Sequence, residues 1–188
     1  MRHLLRCERI LPWPRYWPFL VGIVLLDISR LGAAPPVVRS PERIPVRNWR
    51  YATSAPAKDW NSAAFDATSW RPGEPGFGNR GLPPRQQSLV KTPWNTPDLW
   101  VRAEFELQRV SPHLALRLSH DEDVEVFING VLVCARKGYI ADYAIHRLEG
   151  NAAKALRPGK NLLAAHCHQT IGGQFLDVQM VDLGSLLP

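Results

Sequence analysis

The sequence lacks the short motifs that mark the commonest catalytic and metal centres. Its 188 residues contain no Cys-x-x-Cys pair and no His-x-x-x-His pair, so neither usual kind of zinc centre is indicated. Gly-x-Ser-x-Gly, the nucleophile elbow of serine hydrolases, is also absent. The glycine-rich segment 73–78 is followed by neither a lysine nor a helix start, as a phosphate loop requires. These absences argue against enzymes of those classes.

Cysteine is scarce, with three in the whole chain: Cys7, Cys134 and Cys167. Cys7 belongs to an N-terminal segment that is predicted below to be removed. In an exported protein Cys134 and Cys167 could form a disulfide. Two separate buried thiols are the alternative, because free cysteine behaves as a small apolar residue.

A clustered basic face is also missing, although the formal net charge is +6. Residues 1–34 hold five arginines and two acidic residues, which leaves 18 basic and 15 acidic residues, a net charge of +3, in the rest. There the lysines and arginines are dispersed among acidic residues. Binding to nucleic acid is therefore not expected, since it needs clustered positive charge.

The N-terminus has the order of features typical of an export signal. A basic leader precedes the short apolar run Phe19–Leu26, and the small residues Gly32-Ala33-Ala34 follow. The run is too short to span a bilayer, so stable membrane insertion after cleavage is not expected. We predict a signal peptide at 1–34, a proline-rich linker at 35–46, a domain at 47–185, and a secreted or periplasmic location.

Alternating apolar residues predict strands in the middle of the chain. Leu114–Leu118 and Val124–Ile128 have the period of two that is typical of half-buried strands. Asn129-Gly130 suits a two-residue type I′ turn, and Val131–Val133 follows it as a third strand. The pattern predicts an antiparallel meander over Leu114–Val133, with Ser119–Asp123 as its polar turn.

Further strands and one long irregular region complete the predicted fold. Strands are expected near Trp49–Tyr51, Leu99–Leu107, Asn161–Cys167 and Phe175–Asp182. Residues 53–98 are rich in Pro, Gly, Ser and Asn, and are predicted to be mostly loop. No long amphipathic helix or internal repeat is present. Short strands with turn punctuation indicate an all-β, two-sheet sandwich.

The segment His120–Gly130 resembles the core motif of galactose-binding-like β-sandwich domains. These accompany secreted bacterial glycoside hydrolases, notably as the sugar-binding domain of glycoside hydrolase family 2. The resemblance extends over about residues 47–182, through Phe65–Trp70, Gly73–Gly78, Asp98–Arg102, Gly159–Ala164 and His166–Asp177. It implies a jelly-roll β-sandwich and no catalytic metal.

The densest polar cluster is His120-Asp121-Glu122-Asp123. His166, His168 and Gln169, near the end of another predicted strand, are expected to extend it. Histidine and carboxylate groups could bind a transition metal, and carboxylates with turn carbonyls could bind a structural Ca²⁺. The alternative is an internal polar network that fixes the register of the strands. Asp121 and Asp123 share one short turn, whereas a glycosidase needs two carboxyl groups facing each other across a cleft.

Carbohydrate binding fits these features best, because sugar sites combine an aromatic plate with planar polar groups. Trp94 lies between Pro93 and Pro97 in a stiffened loop, either as an exposed plate or as a core residue. The predicted ligand-binding residues are Trp94, Asn95, Asp121, Asp123 and Gln169. The chain is interpreted as a non-catalytic carbohydrate-binding or accessory module of a secreted glycoside-hydrolase-type system. A purely structural domain packing against a catalytic partner, or a fragment of a glycoside hydrolase, are the alternatives.

Overall fold

The computed structural model describes residues 40–79 and 81–186. Within them the chain forms twelve strands, two short α-helices and one 3₁₀ turn. The strands are β1 (Glu42–Ile44), β2 (Val46–Ala52), β3 (Arg71–Pro72), β4 (Phe77–Gly78), β5 (Thr92–Pro93), β6 (Asp98–Leu107), β7 (Leu114–Asp121), β8 (Asp123–Ile128), β9 (Val131–Arg136), β10 (Ile140–Arg147), β11 (Gly159–His168) and β12 (Phe175–Asp182). Helix α1 spans Pro84–Gln87, α2 spans Gly150–Lys154, and the 3₁₀ turn spans Gly184–Leu186. In these residues no helix is long and apolar enough to cross a membrane.

The strands form two six-stranded sheets. The first sheet has the order β10-β7-β12-β4-β5, with β1 also paired to β12. The second has the order β3-β2-β6-β11-β8-β9. All pairs are antiparallel except β4 with β5. The predicted all-β sandwich is confirmed.

Apolar residues on the facing sides of the sheets form one core. On β6 the alternate residues Leu99, Val101, Ala103 and Phe105 are all at most 3% exposed. They pack in one cluster with alternate residues of β7, β8, β11 and β12. Cys134 and Cys167 are both buried free thiols, so of the two alternatives the structure has the separate thiols and not the disulfide.

The predicted hairpin at Asn129-Gly130 is confirmed. Ile128 pairs with Val131, which leaves a two-residue turn between β8 and β9. Both turn residues have positive φ, 50° for Asn129 and 84° for Gly130, as a type I′ turn requires. The Asn129 side chain is also bonded, since its Nδ2 donates to the Ala155 carbonyl at 2.8 Å and its Oδ1 accepts from the Leu162 N–H at 2.9 Å.

The predicted meander over Leu114–Val133 is wrong in its first half. Strand β7 lies in the first sheet between β10 and β12, whereas β8 lies in the second sheet between β11 and β9. Ser119–Asp123 is therefore the corner at which the chain passes from one sheet to the other. Alternation specifies which face of a strand is buried, but it does not specify the neighbouring strand.

The region 53–98 is mostly irregular, as predicted, and packs onto both sheets. Gly78 allows this approach in the first sheet, since a Cβ there would lie 2.6 Å from the Gln174 carbonyl oxygen. On the second sheet residues 57–70, here called the covering loop, pack against Phe127 through Trp60, whose ring centroid is 5.5 Å away. The aromatic residues of this region therefore hold it to the sandwich.

The ordered sandwich begins inside the segment predicted to be a linker. Strand β1 starts at Glu42 and pairs with β12, and β2 starts at Val46. At the other end the 3₁₀ turn closes the described chain at Leu186. The predicted signal peptide and the first part of the predicted linker lie outside the described residues.

Candidate functional site

Polar side chains gather at one end of the sandwich, where β6, β8 and β12 begin and β7 and β11 end. In the second sheet Asp98, His168 and Asp123 are paired across β6, β11 and β8. Two residues further along each strand, Trp100, His166 and Glu125 are paired in the same way. Because all six residues alternate with core residues, their side chains share the outer face of the second sheet. We call this group of six the polar end.

A single carboxylate binds both histidines of the polar end. Asp98 Oδ1 lies 2.8 Å from His166 Nε2 and 2.8 Å from His168 Nδ1. Burial alone would raise the pKa of the Asp98 carboxyl, but the hydrogen bonds from His168 and His166 outweigh it and hold that pKa below its usual value. The imidazole of His166 also stacks on Trp100, with ring centroids 4.7 Å apart and planes 7° apart. Both histidines are thus fixed in orientation.

A groove of about 320 Å³ lies beside these histidines. It is lined by Asp123, Val124, Glu125, Ala135, Arg136, Lys137, His166 and His168. The side chains of His166 and His168 are 25% and 45% exposed, so a ligand can reach their rings. Imidazole, guanidinium and carboxylate groups together offer donors and acceptors in fixed planes. The groove therefore presents both hydrogen-bond donors and acceptors to solvent.

Asp123 stands at the wall of the groove and is partly neutralised there. Its carboxylate accepts hydrogen bonds from Lys137 Nζ at 2.7 Å and from the Gly138 N–H at 2.8 Å. The hydrogen bond from Lys137, followed by that from Gly138, lowers the pKa of the carboxyl. Asp123 is thus the one predicted ligand-binding residue that lines the groove.

Trp94 is not an exposed plate. Its side chain is 1% exposed and belongs to the core, and its Nε1 donates to Thr96 Oγ1 at 3.0 Å and to the Asp98 carbonyl at 3.2 Å. The alternative interpretation of Trp94 as a core residue is the one that the structure supports. The two prolines bend the loop back over the core instead of holding the ring in solvent.

The other three predicted residues, Asn95, Asp121 and Gln169, do not line the groove. Asn95 is exposed in the loop after β5. The Gln169 N–H donates to the Pro97 carbonyl at 2.6 Å, and its side-chain Nε2 donates to the Ile171 carbonyl at 2.6 Å. Gln169 therefore holds the loop 94–97 beside the segment that joins β11 to β12.

Asp121 is separated from Asp123 by the corner between the sheets. It pairs with Phe175 and faces outward from the first sheet, whereas Asp123 faces outward from the second. Burial, with a smaller contribution from the charge of Glu122, raises the pKa of Asp121 to about 6. The two carboxylates therefore face outward from different sheets, and the binding role expected of each stays a prediction.

The corner shows only part of the internal polar network that was one alternative, since His120 is buried with its Nε2 unpaired among the described residues, while the bonds of Glu122 lie at the surface. His120 is 1% exposed, and its Nδ1 contacts the Glu122 carbonyl. The Glu122 carboxylate accepts from the hydroxyl and the N–H of Thr170. Burial lowers the pKa of His120, which favours its neutral form. Among residues 40–79 and 81–186 no group of three or more His, Cys, Asp or Glu side chains is arranged to hold a metal ion.

Sequence reasoning did not identify Asp98, Trp100, Glu125, Arg136 or Lys137 as site residues. The signal that could have found the first two was the pair of alternations Asp98-x-Trp100 and His166-x-His168, each of which places two polar or aromatic groups on one strand face. What the sequence did not supply was the register that sets Asp98 opposite His168 and Trp100 opposite His166.

No protein-family model and no curated protein matches this chain. Solved structures do resemble it. A β-glucuronidase from glycoside hydrolase family 2 is 16% identical, with a TM-score of 0.52, over 78% of this chain and 18% of that enzyme. A β-glucuronidase from Bifidobacterium dentium is 19% identical over 67% of this chain and 20% of that one, with a TM-score of 0.48. The first likeness shows a shared fold, and the chain spans about a fifth of the length of either enzyme.

Proposed function

We propose that this chain is a non-catalytic carbohydrate-binding module of galactose-binding-like type, associated with a secreted glycoside-hydrolase-type system. The observation that carries the proposal is the groove beside His166 and His168. Its histidines are oriented by one carboxylate and by Trp100, and they remain accessible to a ligand. Oriented planar donors bind sugar hydroxyls with little loss of conformational entropy.

The chemistry of the groove favours binding over hydrolysis. A glycosidase of the usual kind needs one protonated and one ionised carboxyl group on opposite sides of the scissile bond. Of the two carboxylates lining the groove, Asp123 has its pKa lowered by Lys137 and Gly138, so it is a poor proton donor at neutral pH. Glu125 lies on the same strand two residues further on. Both therefore lie on one wall, where they can accept hydrogen bonds from a ligand.

The comparison with solved enzymes supports an accessory role. The fold of this chain corresponds to 18% of the length of a family 2 β-glucuronidase. By analogy, this domain assists a catalytic domain instead of catalysing a reaction itself. The export signal proposed for residues 1–34 would bring it to the same secreted or periplasmic location as extracellular glycans. Sequencing the N-terminus of the exported protein tests that part, and a start near residue 34 or 35 is expected.

A second function, packing against a catalytic partner, is favoured by a separate observation. Four large apolar side chains are exposed on the neighbouring edge strands β9 and β10 and on their connection: Val131 (41%), Leu132 (50%), Tyr139 (69%) and Ile145 (46%). Both strands lie at the edge of their sheet. Exposed apolar groups on free strand edges are typical of surfaces that contact another domain. None of these four side chains lines the groove, but β9 and its connection to β10 also supply Ala135, Arg136 and Lys137 to it, so a partner bound here would lie next to the groove.

A glycan array tests carbohydrate binding. The purified chain is expected to bind one class of neutral or weakly charged glycan. Glu125→Gln is expected to weaken that binding about tenfold or more, because a charged acceptor to ligand hydroxyls is lost. Glu106→Gln is the matched control, since Glu106 is also an exposed glutamate on the outer face of the second sheet but lies outside the groove. Equal effects of the two substitutions, or no binding by the wild type, would contradict the proposal.

A further inference from the structure

A second, larger cleft opens on the other sheet, at the edge of β12. Strand β4 pairs with Phe175 and Leu176, and β1 pairs with Met180–Asp182. Between them residues 177–179 have no strand partner on that edge within the part of the chain that the structure describes. The cleft at this gap measures about 530 Å³, which is in the size range of small-molecule sites. We call it the β12 cleft, and its polar wall is Arg43, Arg117, Tyr143, Asp177 and Gln179.

Arg117 is held rigidly in the β12 cleft. Its guanidinium carbon lies 3.6 Å from the centroid of the Tyr143 ring, and its Nη1 donates to Gln179 Oε1 at 2.9 Å. Gln179 Nε2 donates in turn to Asp177 Oδ2 at 2.8 Å, and the Tyr143 hydroxyl donates to the same oxygen. Arginine has five N–H donors, and this network occupies one of them. The remaining donors are therefore fixed in one plane and open to a ligand.

The β12 cleft carries a small excess of positive charge. Arg85 and Lys91 line it but are paired with Asp142 at 2.5 Å and with Glu74 at 3.8 Å. Arg43 and Arg117 remain, against one carboxylate of the lining, Asp177. Asp177 is 7% exposed and is already bonded by Tyr143 and Gln179. Neither Arg43 nor Arg117 has a carboxylate within ion-pair distance among residues 40–79 and 81–186. Two arginines that lie in one concave site and form no ion pair with a described carboxylate favour an anion with two oxygens, since carboxylate geometry matches the guanidinium fork.

The rest of the lining indicates what the anion is attached to. Pro45, Val46 and Leu89, which are exposed or partly exposed, add apolar surface to the lining of the cleft. A saccharide has both an apolar face of C–H groups and a set of hydroxyls, which the Gln179 amide and the Tyr143 hydroxyl can meet. Burial, with the hydrogen bond to Asp177, raises the pKa of Tyr143, so the hydroxyl stays protonated.

We propose that the β12 cleft binds an acidic saccharide, a sugar that carries a carboxylate, with Arg117 and Arg43 receiving the carboxylate. The site lies on the first sheet, and its evidence does not depend on the groove of the polar end in the second sheet. If both sites are occupied, the chain binds a charged and an uncharged part of a glycan at separate surfaces.

Isothermal titration of the full chain with glucuronate and with glucose, at low ionic strength, tests the proposal. The two sugars differ at one carbon, so the difference in affinity reports the carboxylate. Glucuronate is expected to bind at least about tenfold more tightly, as a charge-assisted bidentate contact provides. Arg117→Gln is expected to remove this preference, and Arg117→Lys to restore only part of it because lysine lacks the planar fork.

Arg147→Gln is the matched control, because Arg147 is an exposed arginine of the same sheet that does not line the cleft. It should leave the preference for glucuronate unchanged. If Arg117→Gln fails to fold, Arg43→Gln gives the same test from the short strand β1 at the rim. Equal affinities for glucuronate and glucose in the wild type would overturn the proposal. So would a preference that survives the substitution of Arg117 and Arg43, or tighter binding of inorganic phosphate than of glucuronate.

Discussion

Arg102 and Arg117 face outward from opposite sheets, and they differ in burial and in hydrogen-bond partners. Arg102 is 7% exposed beneath the covering loop, where it donates to the carbonyls of Trp60, Ser62 and Phe65. Arg117 is half-buried in an open cleft and donates to one side chain. The first has its donors satisfied by the chain itself and therefore stabilises the fold. The second keeps donors available and can therefore bind a ligand.

The same contrast holds along the outer face of the second sheet. Near the covering loop, Arg102 and Phe127 are covered by Trp60 and Phe65. Near the polar end, 45% of the His168 side chain remains exposed within the part of the chain that the structure describes. One face thus has a closed half that holds the loop in place and an open half that presents polar groups. Residues that the chain itself covers are expected to affect stability, whereas residues left accessible are expected to affect binding.

The largest loss of stability is expected at Trp94, whose side chain is buried in the core. Trp94→Ala should destabilise the domain by about 3–5 kcal/mol, the usual cost of deleting a buried large aromatic. Denaturant unfolding of both proteins measures the difference. A folded variant of unchanged stability that has lost glycan binding would instead make Trp94 an exposed ligand residue.

The next largest loss of stability is expected at Arg102, with Arg117 as the comparison. Arg102→Met should cost about 2–4 kcal/mol, because three backbone carbonyls lose a charged donor and the covering loop is released. Arg117→Met should cost about 1 kcal/mol or less, the value of one partly exposed cation–π contact. Urea midpoints of the two variants test the comparison directly. Equal losses would remove the distinction between the two arginines.

A smaller effect is expected at the confirmed hairpin turn. Gly130→Val should cost at least about 1 kcal/mol, since a β-branched residue is strained at positive φ. A Cβ at this position would meet its nearest atom, the Asn61 carbonyl oxygen, at 3.7 Å, an ordinary contact. The cost therefore comes from the backbone conformation, and Gly130→Ala should already show most of the loss in thermal unfolding.

The smallest effect is a gain in stability at Asp121. Its folded-state pKa of about 6 lies above the ordinary value of 3.8, so the folded state favours the protonated form. The stability that this provides is full below pH 3.8 and is lost as the pH rises to about 6. Asp121→Asn removes the charge, and we expect it to stabilise the protein at pH 7.5 by at most about 1 kcal/mol, since the group is partly exposed to solvent screening. At pH 3.5 the two proteins should unfold alike, and a gain that persists there would contradict this account.

The sequence predicted the strands well and their arrangement less well. Alternation located β6, β8, β9, β11 and β12, and Asn129-Gly130 located the turn between β8 and β9, because these signals depend on residues close in the chain. The division of β7 and β8 between two sheets depends on distant pairings, with β12 and β11, for which alternation carries no information. Arg102 illustrates the same limit: alternation predicts that it faces outward, but the covering loop that buries it is more than thirty residues away.

That the five predicted residues bind a ligand stays a prediction, although Asp123 lines the groove and Trp94 is a core residue. Trp100, which stacks on His166, was not predicted, because the register that sets it opposite His166 depends on residues distant in the chain. The β12 cleft was not predicted, since it is built from β1, β7, β10 and β12 together.

The most direct test of carbohydrate binding at the polar end is an NMR titration that follows the histidine ring signals. The glycan selected on the array is added to the full chain. The signals of His166 and His168 are expected to shift with one common dissociation constant, while that of His113, which lies outside the groove, stays in place. Saturable binding that leaves His166 and His168 unmoved would contradict the account.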